Sequence, residues 1–135
     1  MAETTVARSL DRDAGAVWAL LADFGDIGWI PMAENVEVEG EGVGMRRLIP
    51  AGEGDPIAEA LVAIDHDGRA LTYSIENPPF PVSSYVAVCT VTDTDEGATV
   101  EWVVTFDPTG EEAEAAAAIE AIYDMMAGWI ADATG

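Results

Sequence analysis

The sequence predicts an α+β fold: a curved antiparallel sheet of about seven strands wrapped around one long C-terminal helix. Three observations carry that reading. Short segments of alternating apolar and polar residues succeed one another through most of the chain, each closed by turn residues. Two short helical pieces interrupt the series once, directly after the first strand. The last segment has the apolar stripe of a long helix.

Thr4–Leu10 alternates and is rich in β-branched residues, which predicts the first strand. Asp11 and Asp13 can each cap a helix, and Val17, Trp18, Leu20, Leu21 and Phe24 recur at helical spacing, so a helix is expected over about 13–22. Phe24–Ile30 reads as a second short helical piece, broken by Gly25 and Gly28 and stopped by Pro31. Asn35–Glu39 then alternates, Gly40-Glu41-Gly42 turns the chain, and Val43–Ile49 is a strand. Pro50–Pro56 reads as a loop. Ile57–Ile64 and Ala70–Glu76 are strands joined at Asp67-Gly68, a two-residue hairpin signal. Asn77–Val82 holds three prolines and reads as a stiff loop. Ser84–Thr92 places Tyr85, Ala87, Cys89 and Val91 on one face. Asp95-Glu96-Gly97 turns again, and Val100, Trp102, Val104 and Phe106 form the inner face of the last strand.

Thr109-x-x-Glu112 has the form of a capping box and predicts a helix running to about Asp132. Ala115, Ile119, Ile122, Met126, Trp129, Ile130 and Ala133 are expected on its apolar face, with Glu114, Glu120, Asp124 and Asp132 opposite. Hairpin-linked strands make a sheet with one apolar face, and only this helix is long enough to cover it. A sheet curved around a helix leaves a cavity between the two, the natural place for a small molecule.

Composition excludes several function classes. The 135 residues fit one domain and carry 26 acidic against 5 basic side chains, a net charge of −21. All five basic residues are arginines: Arg8, Arg12, Arg46, Arg47 and Arg69. Such a chain is repelled by nucleic acid and by anionic membrane surfaces. Half of the residues are apolar, so it is no disordered acidic tail. The acidity fits either a salt-rich cytoplasm or a GC-rich genome. With one cysteine, Cys89, and one histidine, His66, neither an internal disulfide nor a Cys/His zinc site can be built, and no metal or cofactor is expected. No signal peptide or membrane-length apolar run is evident, so a cytoplasmic location without membrane insertion is expected.

Several pieces resemble the START-like superfamily (SRPBCC), which includes birch-pollen-allergen-like proteins and the polyketide cyclase/dehydrase group. They are Leu10-Asp11-Arg12-Asp13-Ala14-Gly15-Ala16-Val17-Trp18, Trp29-Ile30-Pro31, Val36-x-Val38, and Gly42-Val43-Gly44-Met45-Arg46-Arg47. Glu59-Ala60-Leu61, Leu71-x-Tyr73-x-Ile75, Pro81-Val82-Ser83-Ser84-Tyr85 and Val100-x-Trp102 follow in the same order. The resemblance spans Val6 to Ile130 and implies the helix-grip fold, which hosts carriers, hormone receptors, cyclases and co-chaperones. Arg12-Asp13 stand where that family often has Ala-Pro. The lysine with which plant hormone receptors of the superfamily hold a carboxylate has no counterpart at Trp29-Ile30-Pro31.

Arg47 shares parity with Val43, Met45 and Ile49, and Glu59 with Ile57 and Leu61, so both charges are expected to face inward. A buried charge needs a partner. The resemblance places both in a pocket wall, where Arg47 would polarise a ligand oxygen and Glu59 would act as base or water anchor. The alternative is an ion pair that only braces neighbouring strands. Tyr73 and Tyr85 face inward and need hydrogen-bond partners. Tyr85 lies beside Asn77–Val82, which looks like a family gate. Trp29, Trp102, Met126 and Trp129 complete the expected ligand wall. Arg8 is expected to brace the sheet, Cys89 to be a core thiol, and His66 to lie on the surface. Two functional readings follow: a carrier or binding protein for a small hydrophobic or aromatic molecule, and a cofactor-independent cyclase or dehydratase using Arg47, Glu59 and Tyr85. A protein-interaction module is a third.

Overall fold

The computed structural model describes residues 2–30, 36–50, 56–76, 78 and 81–135. Seven antiparallel strands form one sheet: β1 (Ala2–Leu10), β2 (Glu37–Glu39), β3 (Arg46–Ile49), β4 (Ile57–Asp65), β5 (Ala70–Ile75), β6 (Val82–Thr94) and β7 (Gly97–Pro108). Helix α1 (Ala14–Ala22) follows β1, and α2 (Glu112–Thr134) ends the chain. The spatial order is β1-β7-β6-β5-β4-β3-β2. β1 and β2 are therefore opposite edges of the sheet, although they adjoin in sequence. The α1 segment must cross from one edge to the other, and this crossing closes one end of the concave face.

Alternation sets the inner face. Leu71, Tyr73 and Ile75 of β5, Tyr85, Ala87, Cys89 and Val91 of β6, and Val100, Trp102, Val104 and Phe106 of β7 are all buried. Register shifts between Leu61 and Ala63 in β4 and between Val82 and Ser84 in β6 bend these strands. α2 packs chiefly on β1, then on α1 and β7. Gly97 shows how tightly the β1–α1 corner sits on β7. A Cβ there would lie 2.5 Å from the Leu10 carbonyl oxygen and 2.7 Å from the Arg12 nitrogen, so only glycine fits.

The fold class expected from sequence stands, with local corrections. Asp13 caps α1, its carboxylate accepting from the Ala16 N–H at 3.0 Å. Phe24–Ile30 is not a second helix. It makes two successive turns, closed by Asp26 N to Asp23 O (3.0 Å) and Ile30 N to Ile27 O (2.9 Å), with the Asp26 carboxylate taking the Gly28 N–H. A side chain that satisfies nearby backbone offers an alternative to the helix. β3 begins at Arg46 rather than Val43, because Gly40, Gly42 and Gly44 all have positive φ and keep the preceding chain in a loop. The β4–β5 turn runs over four residues, His66–Arg69, with Arg69 left-handed at φ 50°, instead of the two-residue hairpin. Asn35, the Pro31 stop, residues 51–55 of the Pro50–Pro56 loop and residues 77, 79 and 80 of the Asn77–Val82 loop lie outside the described residues.

α2 differs in two respects. Its N-cap is Glu111, without a side-chain cap, so Thr109-x-x-Glu112 does not form a capping box. The Thr109 N–H instead bonds the Pro81 carbonyl at 2.9 Å. The buried stripe is Ala115, Ile119, Tyr123, Ala127 and Ile130. Ile122, Met126 and Trp129 flank it half-buried, and Ala133 is exposed. The i, i+4 recurrence of that stripe passes through Tyr123, which turns inward in place of the more apolar residues beside it. Two arginines hold the helix. Arg8 Nε pairs with Asp124 at 2.9 Å, and Arg12 Nε donates to the Ala131 carbonyl at 2.8 Å. The last turn of α2 has no basic residue of its own, so Arg12 supplies the cation that the helix C-terminus favours.

Candidate functional site

Strand register builds the site. Arg47 of β3 stands directly opposite Glu59 of β4, so the two inward charges are neighbours by pairing alone. Arg47 Nε donates to Glu59 Oε1 at 2.6 Å, with the side chains only 9% and 12% exposed. Its Nη1 donates to the Phe24 carbonyl at 3.0 Å. The guanidinium carbon lies 3.9 Å from the centre of the Phe24 ring and 5.6 Å from that of Tyr73. Arg47 thus ties the first turn after α1 to the sheet, while aromatic faces cover its flat sides. It is the one buried charged side chain among the described residues.

The chain's three tyrosines meet next to this pair. Tyr123 of α2 hydrogen-bonds both Tyr73 of β5 and Tyr85 of β6. Its ring stacks on Trp102 of β7, with centroids 4.6 Å apart and planes inclined by 16°. Burial raises all three phenol pKa values, because a phenolate there would lose its hydration. Nearby Glu59 adds to the rise at Tyr73 and Tyr85. All three are neutral phenols at physiological pH and can donate protons or hydrogen bonds, not accept a proton as base. Burial also pushes the Cys89 thiol up to about 12, against a smaller opposing pull from Arg47. A protonated, enclosed thiol is inert as a nucleophile.

Between sheet, α1 and α2 lies a small, partly open space of about 20 Å³ whose walls include Trp29, Arg47, Tyr73, Cys89, Trp102 and Met126. Such a volume suits roughly one water and no aromatic ring. The cavity expected from the fold is therefore nearly filled in this conformation. Large side chains from the crossing segment, chiefly Phe24, Ile27 and Trp29, fill the concave end. Outside it, Ala19, Leu20, Asp23, Asp26, Gly28 and Trp29 line an open groove of about 340 Å³.

Of the expected ligand residues, Trp29, Arg47, Tyr73, Trp102 and Met126 line the inner space. Glu59 stands behind Arg47, and Tyr85 reaches the cluster through Tyr123. Trp129 is half-buried on α2 and does not border that space. Tyr123 is the residue that sequence reasoning missed. Its signal was the four-residue recurrence from Ala115 and Ile119. His66 is exposed at its hairpin tip, as expected, but its ring also meets Trp18 edge-on at 5.8 Å. Among the described residues no group of acidic, histidine and cysteine side chains is arranged to hold a metal ion. No helix there is long and apolar enough to cross a membrane.

A family model described as polyketide cyclase/dehydrase and lipid transport matches residues 1–131. Among solved structures, the protein XoxI from Bacillus cereus is 30% identical, with a TM-score of 0.85 over 99% of this chain and 96% of its own. Ara h 8.0201 is 15% identical with a TM-score of 0.78, covering 98% of this chain and 97% of its own. Norcoclaurine synthase from Thalictrum flavum, solved with dopamine and hydroxybenzaldehyde, is 16% identical with a TM-score of 0.73, covering 97% of this chain and 84% of its own. The last two likenesses show the shared helix-grip fold. Among proteins of curated function, none matches the sequence.

Proposed function

Since the chain belongs to the polyketide cyclase/dehydrase and lipid transport family, we propose that it binds a small hydrophobic or aromatic molecule between the sheet and α2, as a carrier or binding protein. The observation that carries this is the buried Arg47–Glu59 pair at the edge of an internal space. Apolar side chains would serve folding as well as a buried ion pair does. Set among Tyr73, Trp29 and Trp102, the pair instead offers one polar anchor inside an aromatic enclosure, the make-up of a small-molecule site. The space of about 20 Å³ must widen before a ring can enter, and the half-buried Trp29 and Met126 are the walls with room to move.

Native mass spectrometry against a panel of aromatic and acyl compounds tests this reading. Retention of an aromatic ligand by the wild type, with loss in the Arg47→Met/Glu59→Leu double variant, is expected. A folded wild type that retains none of the panel overturns it.

The shared wall of Arg47 and Tyr73 favours a second reading, a cofactor-independent cyclase or dehydratase. Glu59 would take a proton from the carbon between two ketones, and Arg47 would hold the resulting enolate. That carbon would attack another carbonyl, whose oxygen would collect a proton from a phenol, Tyr73 or the Tyr85 named from sequence. The hydroxyl so formed would leave as water with the proton held on Glu59, while the phenolate takes the remaining proton of the attacking carbon, returning both side chains to their starting states. Aromatic absorbance appearing from a poly-β-ketone substrate, and vanishing in Arg47→Met, is the expected sign. Turnover unchanged in that variant refutes the assignment.

A further inference from the structure

Trp29 stands at a boundary. Together with Leu20 and Asp23 it borders both the inner space and the outer groove. Its indole Nε1 is the one buried side-chain polar atom without a hydrogen-bond partner among the described residues. Native structures seldom bury a donor unpaired, so an orphan of this kind calls for an explanation. The outer groove is large enough for a two-ring molecule, whereas the inner space is not. Its rim carries two exposed carboxylates, Asp23 and Asp26, on a chain of net charge −21.

We propose that Trp29 is the door between groove and interior, and that its indole N–H binds an oxygen acceptor of an uncharged aromatic ligand as the door opens. In the closed state the N–H has no protein partner among the described residues, and the adjoining space of about 20 Å³ offers it at most a water. A ligand oxygen that pairs it favours the open state by its differential binding to the two. The site takes neutral carbonyl or phenolic compounds. The carboxylates at the rim repel organic anions, and a ligand without an acceptor leaves the indole unpaired. The proposal rests on the small-molecule reading above, because it names the route and the ligand class of that same site.

The test uses protein labelled with ¹⁵N at tryptophan and three probes of one shape: 2-acetylnaphthalene, 2-ethylnaphthalene and 2-naphthoate. Phe replaces Trp29 in one variant, keeping a ring without the N–H, and assigns the Trp29 indole signal by its loss. The ketone is expected to bind wild type roughly three- to tenfold more tightly than the hydrocarbon. It should also move the Trp29 indole proton downfield. In Trp29→Phe the two probes should bind equally. The naphthoate should bind most weakly, and Asp23→Asn should narrow its deficit. Equal affinity of ketone and hydrocarbon for wild type, or an indole signal unmoved at saturation, overturns the role of Trp29. If in that case the Arg47→Met/Glu59→Leu variant still loses both probes, the interior site stands without the door. Binding of none of the probes overturns both.

Discussion

The two ends of the concave face are closed in different ways. Over β1, β7 and β6 the cover is α2 together with α1, and the buried contact is chiefly apolar: Ile119 and Ile130 belong to one core with Val6, Val104 and Phe106, all fully buried. Over β3, β4 and β5 the cover is the crossing segment after α1, and the contact is mixed. There an ion pair, a carbonyl, two aromatic faces and an unpaired indole N–H share one small space. The tyrosine cluster is the seam between them, since Tyr123 belongs to α2 while Tyr73 lies against Arg47. One end is built for permanent structure, and the other carries the groups that the proposed binding would use. Apolar contact is non-directional and tolerates small shifts, so it suits permanent structure. Polar groups in a dry interior demand specific partners, so they suit selection among ligands.

The contrast can be broken at either end. Phe106→Ala should cost about 3–5 kcal/mol in urea unfolding, since no neighbour can refill the space. A cost below about 1 kcal/mol would mean that the α2 end is as yielding as the other. Glu59→Leu should cost about 3 kcal/mol by leaving Arg47 charged, enclosed and unpaired, while the double variant with Arg47→Met should recover most of that loss. Failure of the double variant to recover would make the pair structural, like the Phe106 end.

The seam has its own signature. Tyr123→Phe removes the hydroxyl shared by two buried phenols and should cost about 1–3 kcal/mol. Each phenol has a folded pKa raised above its ordinary value of 10. Above pH 10 the unfolded chain releases these protons before the folded one does. Stability is therefore full below pH 10 and falls as pH rises, by up to about 1.4 kcal/mol per pH unit for each phenol. Tyr123→Phe should make that alkaline decline shallower. An identical slope in the variant would place the decline elsewhere.

The smallest effect sharpens the contrast within two adjacent residues. Arg46 is next to Arg47, but its side chain is 39% exposed and bridges Glu39 and Glu76 across the outer face, at 2.5 and 2.6 Å. The hydrogen bond to Glu76 leads in raising its pKa. In water such bridges contribute little, so Arg46→Met should leave the urea unfolding midpoint almost unchanged. A larger loss would show that the exposed network holds the β2 edge in place.

Much of this was legible from residue order. Period-two alternation marked the inner faces of β5, β6 and β7, because each strand has one wet side and one dry side. Parity alone turned Arg47 and Glu59 inward, and register made them partners. Other features were not legible. The Phe24–Ile30 segment has helical spacing, but Asp26 and the glycines favour turns, and local spacing does not weigh that competition. The α2 stripe was displaced because Ile122, Met126 and Trp129 are more apolar than Tyr123, yet the floor beneath supplies two phenol partners. The fill of the cavity depended on which large side chains the crossing segment lays over the sheet, and no strand pattern records that.

The α+β class, the strand order along the chain and the inward parity of Arg47 and Glu59 were readable from residue order in a protein of net charge −21. These follow from periodicity and composition, which act over a few neighbouring residues. That three tyrosines join, that the interior is nearly filled and that the Trp29 N–H has no protein partner among the described residues emerge only in the folded chain. Each of these depends on side chains brought together from elements far apart in the chain, whose meeting is set by how the whole sheet bends.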